Sequence, residues 1–143
     1  MPTPVTRDLI AYRLPGDWEV LAGRTDAAND YLSLKVARPD DLWFHIRGMP
    51  GSHVLLRARS DATPDRATQE LAAAIAAAHS KARSAGTVAV ACTEARHVSK
   101  PPGAKAGTVV LRKQRVLKVR PASETVLGAL RADSDGAQSR EPR

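Results

Sequence analysis

Residues 41–57, Asp-Leu-Trp-Phe-His-Ile-Arg-Gly-Met-Pro-Gly-Ser-His-Val-Leu-Leu-Arg, read as two strands around a Pro50-Gly51 turn. Side chains alternate across a strand, so Leu42, Phe44 and Ile46 point one way while Trp43, His45 and Arg47 point the other. In the second strand Val54, Leu56 and Ala58 oppose His53, Leu55, Arg57 and Arg59. One face is apolar and suits a core. The other carries an aromatic, two histidines and three arginines, an odd choice for a merely solvated face, and it suits an anionic, flat ligand.

The flanking sequence extends the sheet in both directions. Upstream, the first sixteen residues are punctuated by proline and close in a Pro15-Gly16 turn. Residues 18–22 read as a strand and 23–30 as a polar loop. Residues 31–38 alternate, with Leu32, Leu34 and Val36 inward and Ser33 and Lys35 outward, before a Pro39-Asp40-Asp41 turn. Four strands at regular spacing predict an antiparallel meander. Downstream, Thr63 and Pro64 have the chemistry of an N-cap and a first helical position. The helix is expected to run to about Ser84, with Lys81 and Arg83 in its last turn, Gly86 as its stop, and Leu71, Ile75, Ala78 and Ala82 as its apolar stripe.

Residues 87–93 return to strand, with Val88, Val90 and Cys92 on one face. A long basic loop at 95–107, strands at 108–111 and 115–120, and a short helix at 122–131 follow. The fold class is α+β: a mostly antiparallel sheet of about seven strands packed on one long helix, in a single domain. The domain spans residues 1–121. Residues 122–143 form an extension, expected to be disordered from 133, where no large apolar residue remains.

Composition narrows the class. The chain has 143 residues, 43% hydrophobic but only 3% aromatic, so its core must be built from Ala, Val and Leu. The lone Cys92 excludes an internal disulfide and argues against a thiolate zinc site. No apolar run of membrane-spanning length and no signal-peptide core is present, so a cytoplasmic protein with no membrane partner is expected. The net charge is +7, and it is concentrated: residues 81–120 hold ten Lys/Arg against Glu94 alone, a segment charge of +9. Clustered positive charge is the footprint of polyanion binding.

His45 and His53 share a face on adjacent strands. Two such imidazoles can act as acid and base, ligate a metal, or stack on and hydrogen-bond to nucleotides. No third metal ligand has suitable spacing, and neither a nucleophile nor a carboxylate cluster accompanies them; His53 could equally satisfy backbone groups at the turn. The loop at 99–107 presents Lys100 and Lys105 among glycines and prolines, with Arg96 and His97 just before it. It lacks the Gly-Lys-Ser/Thr and following helix of a Walker A loop, leaving charge alone to follow a sugar-phosphate backbone. Neither a Gly-x-Ser-x-Gly elbow nor a dinucleotide fingerprint, Cys-x-x-Cys or His-Glu-x-x-His occurs.

The series Gly23-Arg24, Asn29-Asp30, Lys35, Asp41-Leu42-Trp43-Phe44-His45 and Pro50-Gly51-Ser52-His53-Val54 continues in Ser80-Lys81-Ala82-Arg83. It ends in His97-Val98-Ser99-Lys100-Pro101-Pro102-Gly103-Ala104-Lys105 with Gly107 beyond. In this order, over residues 16–121, these motifs resemble the NFACT-R domain, the C-terminal RNA-binding module of RqcH-type ribosome-quality-control factors. Ala106 departs from the family's usual proline and His79 from its common tyrosine.

The resemblance implies a non-catalytic RNA-binding protein, with tRNA or rRNA as ligand and the large ribosomal subunit as platform. The family's N-terminal domain, helix-hairpin-helix segment and coiled-coil arms are not among these residues, so a stand-alone module is expected and tail synthesis is not carried over. Stand-alone eukaryotic relatives linked to DNA leave the nucleic acid open. The nominated contacts are Arg24, Asn29, Asp30, Lys35, Trp43, His45, Arg47, His53, Arg57, Lys81, Arg83, His97, Lys100 and Lys105. No cofactor, metal or catalytic residue is called for. The alternatives are a small RNA-processing nuclease using His45 and His53, a DNA-binding module, or a module that docks on protein.

Overall fold

In the computed structural model, which describes residues 8–132, six antiparallel strands lay their apolar sides on one helix. The strands are β1 (Leu9–Leu14), β2 (Trp18–Gly23), β3 (Leu42–Ile46), β4 (Val54–Leu56), β5 (Val88–Glu94) and β8 (Arg115–Val119), in the order β1-β2-β4-β3-β5-β8. A separate hairpin pairs β6 (Val98–Ser99) with β7 (Val110–Leu111). The helices are α1 (Asp26–Tyr31), which runs into a π-helical turn at Leu32–Val36, α2 (Arg66–Ala78) and α3 (Glu124–Leu130).

The parity of residues 41–57 sets this architecture. Phe44 lies opposite Val54 on one side and Cys92 on the other, and all three face α2 with Leu56, Val90 and Leu117. The helix meets them with Ala72, Ala73, Ile75, Ala76 and Ala77, whose small side chains let it lie close on the sheet. On the opposite face Trp43 and Leu55 are also buried. They are covered by Leu32 of the π-helical turn and by Val98, Val109 and Leu111 of the hairpin region. The domain therefore has three layers over this part of the sheet.

The α+β class, the single domain and the mostly antiparallel sheet stand. The long helix does not. It has 13 residues, starting after Asp65, whose carboxylate accepts the Thr68 N–H at 2.8 Å, so the cap is Asp65 and not Thr63. It ends at Ala78 because Ser80 leaves the helix to bridge Gly51, its hydroxyl donating to the Ala77 carbonyl and accepting from Ala82 N. Lys81 and Arg83 lie beyond the helix, not in its last turn.

The expected four-strand meander is replaced at its upstream end. Residues 9–14 form a strand hidden in the proline-marked segment, with Ile10, Tyr12 and Leu14 in the core. Thr25 caps α1 by accepting Ala28 N at 3.0 Å, which turns the expected polar loop into helix. The alternation at 31–38 is not used: Leu32 and Ser33 are both buried while Leu34 is exposed, a helical and not a strand pattern. Among the described residues eight strands in two sheets thus stand where about seven were expected in one. The Arg47–Met49 segment, with Gly48 at φ +81°, makes the β3–β4 turn, and Pro50-Gly51 follows it. Among the described residues no helix is long and apolar enough to cross a membrane. The tail expected to be disordered from 133 lies outside the described residues.

Candidate nucleic-acid interface

The three rings that opened the sequence reading do meet. Trp43 stacks on His45 with centroids 5.9 Å apart, and both rings contact His53 edge-on at 4.9 and 5.4 Å. The cluster is an interior one. Trp43 is 1% and His53 2% exposed, and only His45 is half-buried. The Trp43 indole N–H donates to Ser33 Oγ at 2.8 Å, and Ser33 Oγ lies 2.8 Å from His53 Nδ1. A hydroxyl that accepts from the indole can donate to the imidazole, which makes Nε2 the protonated nitrogen of His53.

Burial pushes the His53 pKa down to about 4, and the neighbouring His45 adds to the shift, against the pull of Asp30 and of the Asn29 and Gly107 backbone. Burial also lowers His45. These are uncharged rings at neutral pH. As open stacking platforms, Trp43 and His53 are corrected by their burial: both are covered.

Other nominated residues hold this covering layer in place. Asn29 is buried, and its Oδ1 accepts His53 N at 2.9 Å. Gly23 makes that approach possible, because a Cβ there would lie 2.2 Å from Asn29 Oδ1. Asp30 accepts Gly107 N at 3.0 Å and pairs with Lys100 Nζ at 3.1 Å, and Lys100 also reaches the Lys105 carbonyl. The basic loop is therefore tied down over α1. Arg57 pairs with the buried Asp41 at 3.1 Å, whose carboxylate also accepts Ala58 N and Arg38 N. His97 is mostly covered, with Nε2 3.7 Å from Glu94. These five side chains, Asn29, Asp30, Arg57, His97 and Lys100, are engaged in contacts within the domain.

The remaining cations sort by the polarity of the strands. At one end of the sheet, Arg24 follows β2, Arg47 follows β3, Lys81 and Arg83 follow α2, and Arg120 follows β8. All five are exposed, and none is ion-paired with a described residue. At the opposite end six acids are ion-paired: Asp17 with Arg13, Asp40 and Glu94 with Arg96, Asp41 with Arg57, Asp61 with Arg59, and Glu70 with Arg66. Unpaired cations thus gather at one end, although Lys113 and Arg115, exposed near Glu94 at the opposite end, are also ion-paired with no described residue.

Arg24, Lys81 and Arg83 share a cleft of about 380 Å³ there with Asp26, Asn29, Gly51, Ser52, His79 and Ser80. His79, noted in the sequence only as a departure from the family's tyrosine, is not among the nominated contacts, yet it lines this cleft. Its Nε2 lies 2.7 Å from the Tyr12 hydroxyl, and burial, then Arg131 and Arg24, lower its pKa. Lys35 and Lys105 are exposed but lie outside this lining. Among the described residues no group of three or more His, Cys, Asp or Glu is placed to hold a metal ion.

The fold is thus an antiparallel sheet packed on a helix, with a cluster of unpaired cations at one end. Residues 11–113 match the model of the NFACT protein RNA binding domain, and the chain belongs to that family. It is 40% identical over 119 residues to the Rqc2 homolog RqcH of Bacillus subtilis, covering 83% of this chain and 20% of that protein. Against the Rqc2 homolog RqcH of Streptococcus suis it is 38% identical over 107 residues, 75% of this chain and 19% of that protein. The chain therefore spans about a fifth of the length of these relatives. The solved C-terminal part of the fibronectin/fibrinogen-binding protein from Streptococcus suis superposes with a TM-score of 0.79 at 34% identity, over 86% of this chain and 49% of that one.

Proposed function

We propose that this chain is a non-catalytic RNA-binding protein working in ribosome-associated quality control, with tRNA or rRNA held at the cationic end of the sheet. The carrying observation is the cleft in which Arg24, Lys81 and Arg83 are exposed and unpaired among the described residues. Phosphate contacts supply most of nucleic-acid affinity and make it salt-dependent. Membership of an RNA-binding family favours RNA over DNA or an acidic protein.

The test is binding of labelled tRNA, an rRNA fragment and DNA of matching sequence across a salt series. The double change Lys81→Ala/Arg83→Ala is expected to weaken RNA binding and to reduce the log–log salt slope by about 1.5–2. An unchanged slope, or equal affinity for DNA, overturns the reading. Co-sedimentation with large ribosomal subunits tests the platform. The nuclease alternative is disfavoured by a buried, neutral His53 whose Nδ1 is bonded to Ser33. Intact tRNA after prolonged incubation is the expected outcome.

A further inference from the structure

Only part of the outer sheet face is covered. The π-helical turn and the β6–β7 hairpin region bury Trp43 and Leu55, and the Arg112 carbonyl accepts the Thr93 hydroxyl at 2.8 Å. Toward the cationic end the face opens across β3, β5 and β8. The register sets two rows there. His45 lies opposite Ala91, which lies opposite Val116. One step on, Arg47 N donates to the Ala89 carbonyl and Ala89 lies opposite Lys118. By alternation Arg120 points the same way as Lys118, since Leu117 and Val119 are buried between them.

The outward positions of the three strands, from Trp43 to Arg47, Ala89 to Thr93 and Val116 to Arg120, include no acid. Arg47, Lys118 and Arg120 are exposed and ion-paired with no described residue, and Val116, 38% exposed, sits among them. Arg47 and Lys118 are two strand spacings apart, about 10 Å, with only the Ala89 methyl between. Cations therefore rim a shallow, partly apolar floor.

We infer that this open face binds a single-stranded RNA segment, as a surface additional to the Arg24–Lys81–Arg83 cleft and resting on the RNA-binding reading above. A duplex offers mainly phosphates to such a face, whereas an unpaired strand offers phosphates and the flat apolar faces of its bases together. Arg47, Lys118 and Arg120 contact phosphates, and a base lies over Ala89 and Val116. The floor is aliphatic and lacks base-edge partners, so little sequence preference follows.

The experiment measures fluorescence anisotropy of a 12-nucleotide oligouridylate and of a fully paired RNA hairpin, with about ten nucleotides as the scale of one single-strand site. Lys118→Ala/Arg120→Ala and, separately, Val116→Asp are expected to weaken oligouridylate binding about tenfold while leaving the hairpin within about twofold. The exposed positions should leave the unfolding midpoint unchanged. Equal loss for both ligands, no loss for oligouridylate, or tighter binding of polyglutamate than of oligouridylate overturns the inference. If the unaltered protein binds neither RNA, the functional reading itself falls. If Lys81→Ala/Arg83→Ala weakens hairpin binding while the β8 changes do nothing, only this surface falls.

Discussion

Trp43 illustrates what one residue can and cannot announce. Its parity places it on the face with His45 and His53, and the ring contacts agree. Its burial depends on Leu32, Val98 and Leu111, residues that no local pattern connects to it. Trp43→Ala is expected to cost about 3–5 kcal/mol, as for other large core truncations, read by chemical denaturation. His53 makes a second case. Its folded pKa, about 4, lies below the ordinary imidazole value, so between pH 6.5 and 4 the unfolded chain binds more protons. Its contribution is fully present above pH 6.5 and is lost as the pH falls toward 4. Stability should drop by about 2 kcal/mol between pH 7 and 5 on this account alone. His53→Gln should flatten that part of the profile, although the variant starts from a lower baseline.

At the scale of elements, the strands carrying strict alternation were legible: β2, β3, β4, β5 and β8 fall where the pattern puts them, and α3 lies within its expected range. The misplaced elements share a cause. Residues 31–38 alternate as a strand would, but Thr25 caps a helix that runs into them. The same competition moved the start of α2, where both Thr63 and Asp65 are good caps and only the tertiary path selects one. Asp65→Ala should therefore lower the unfolding midpoint by a few degrees, while Thr63→Ala should leave it nearly unchanged. The cationic cleft is an element-scale feature too. It exists because β2 and α2 end at the same edge, bringing Arg24 to Lys81 and Arg83.

For the whole molecule, charge is distributed by end and not by segment. The basic stretch at 81–120 contributes Lys81, Arg83, Lys118 and Arg120 to the open end, yet it also sends Arg96 and Arg115 to the acidic end, where Arg96 pairs with Asp40 and Glu94. Salt should consequently affect binding more than folding. RNA affinity is expected to fall steeply between about 50 and 200 mM salt, while the unfolding midpoint moves little, since the exposed ion pairs contribute modestly. A steep salt dependence of stability would contradict this division.

The sequence by itself determined the fold class, the paired strands at 41–57, the family and the sign of the charge, because alternation, composition and motif order are properties of neighbours along the chain. The tertiary structure alone decided which of the nominated residues face solvent. Arg57 and Lys100 are cations like Lys81 and Arg83, but Asp41 and Asp30 reach the first two and no described acid reaches the others. That difference arises from residues far apart in sequence meeting at one point, and it separates the side chains paired within the domain from those left unpaired among the described residues.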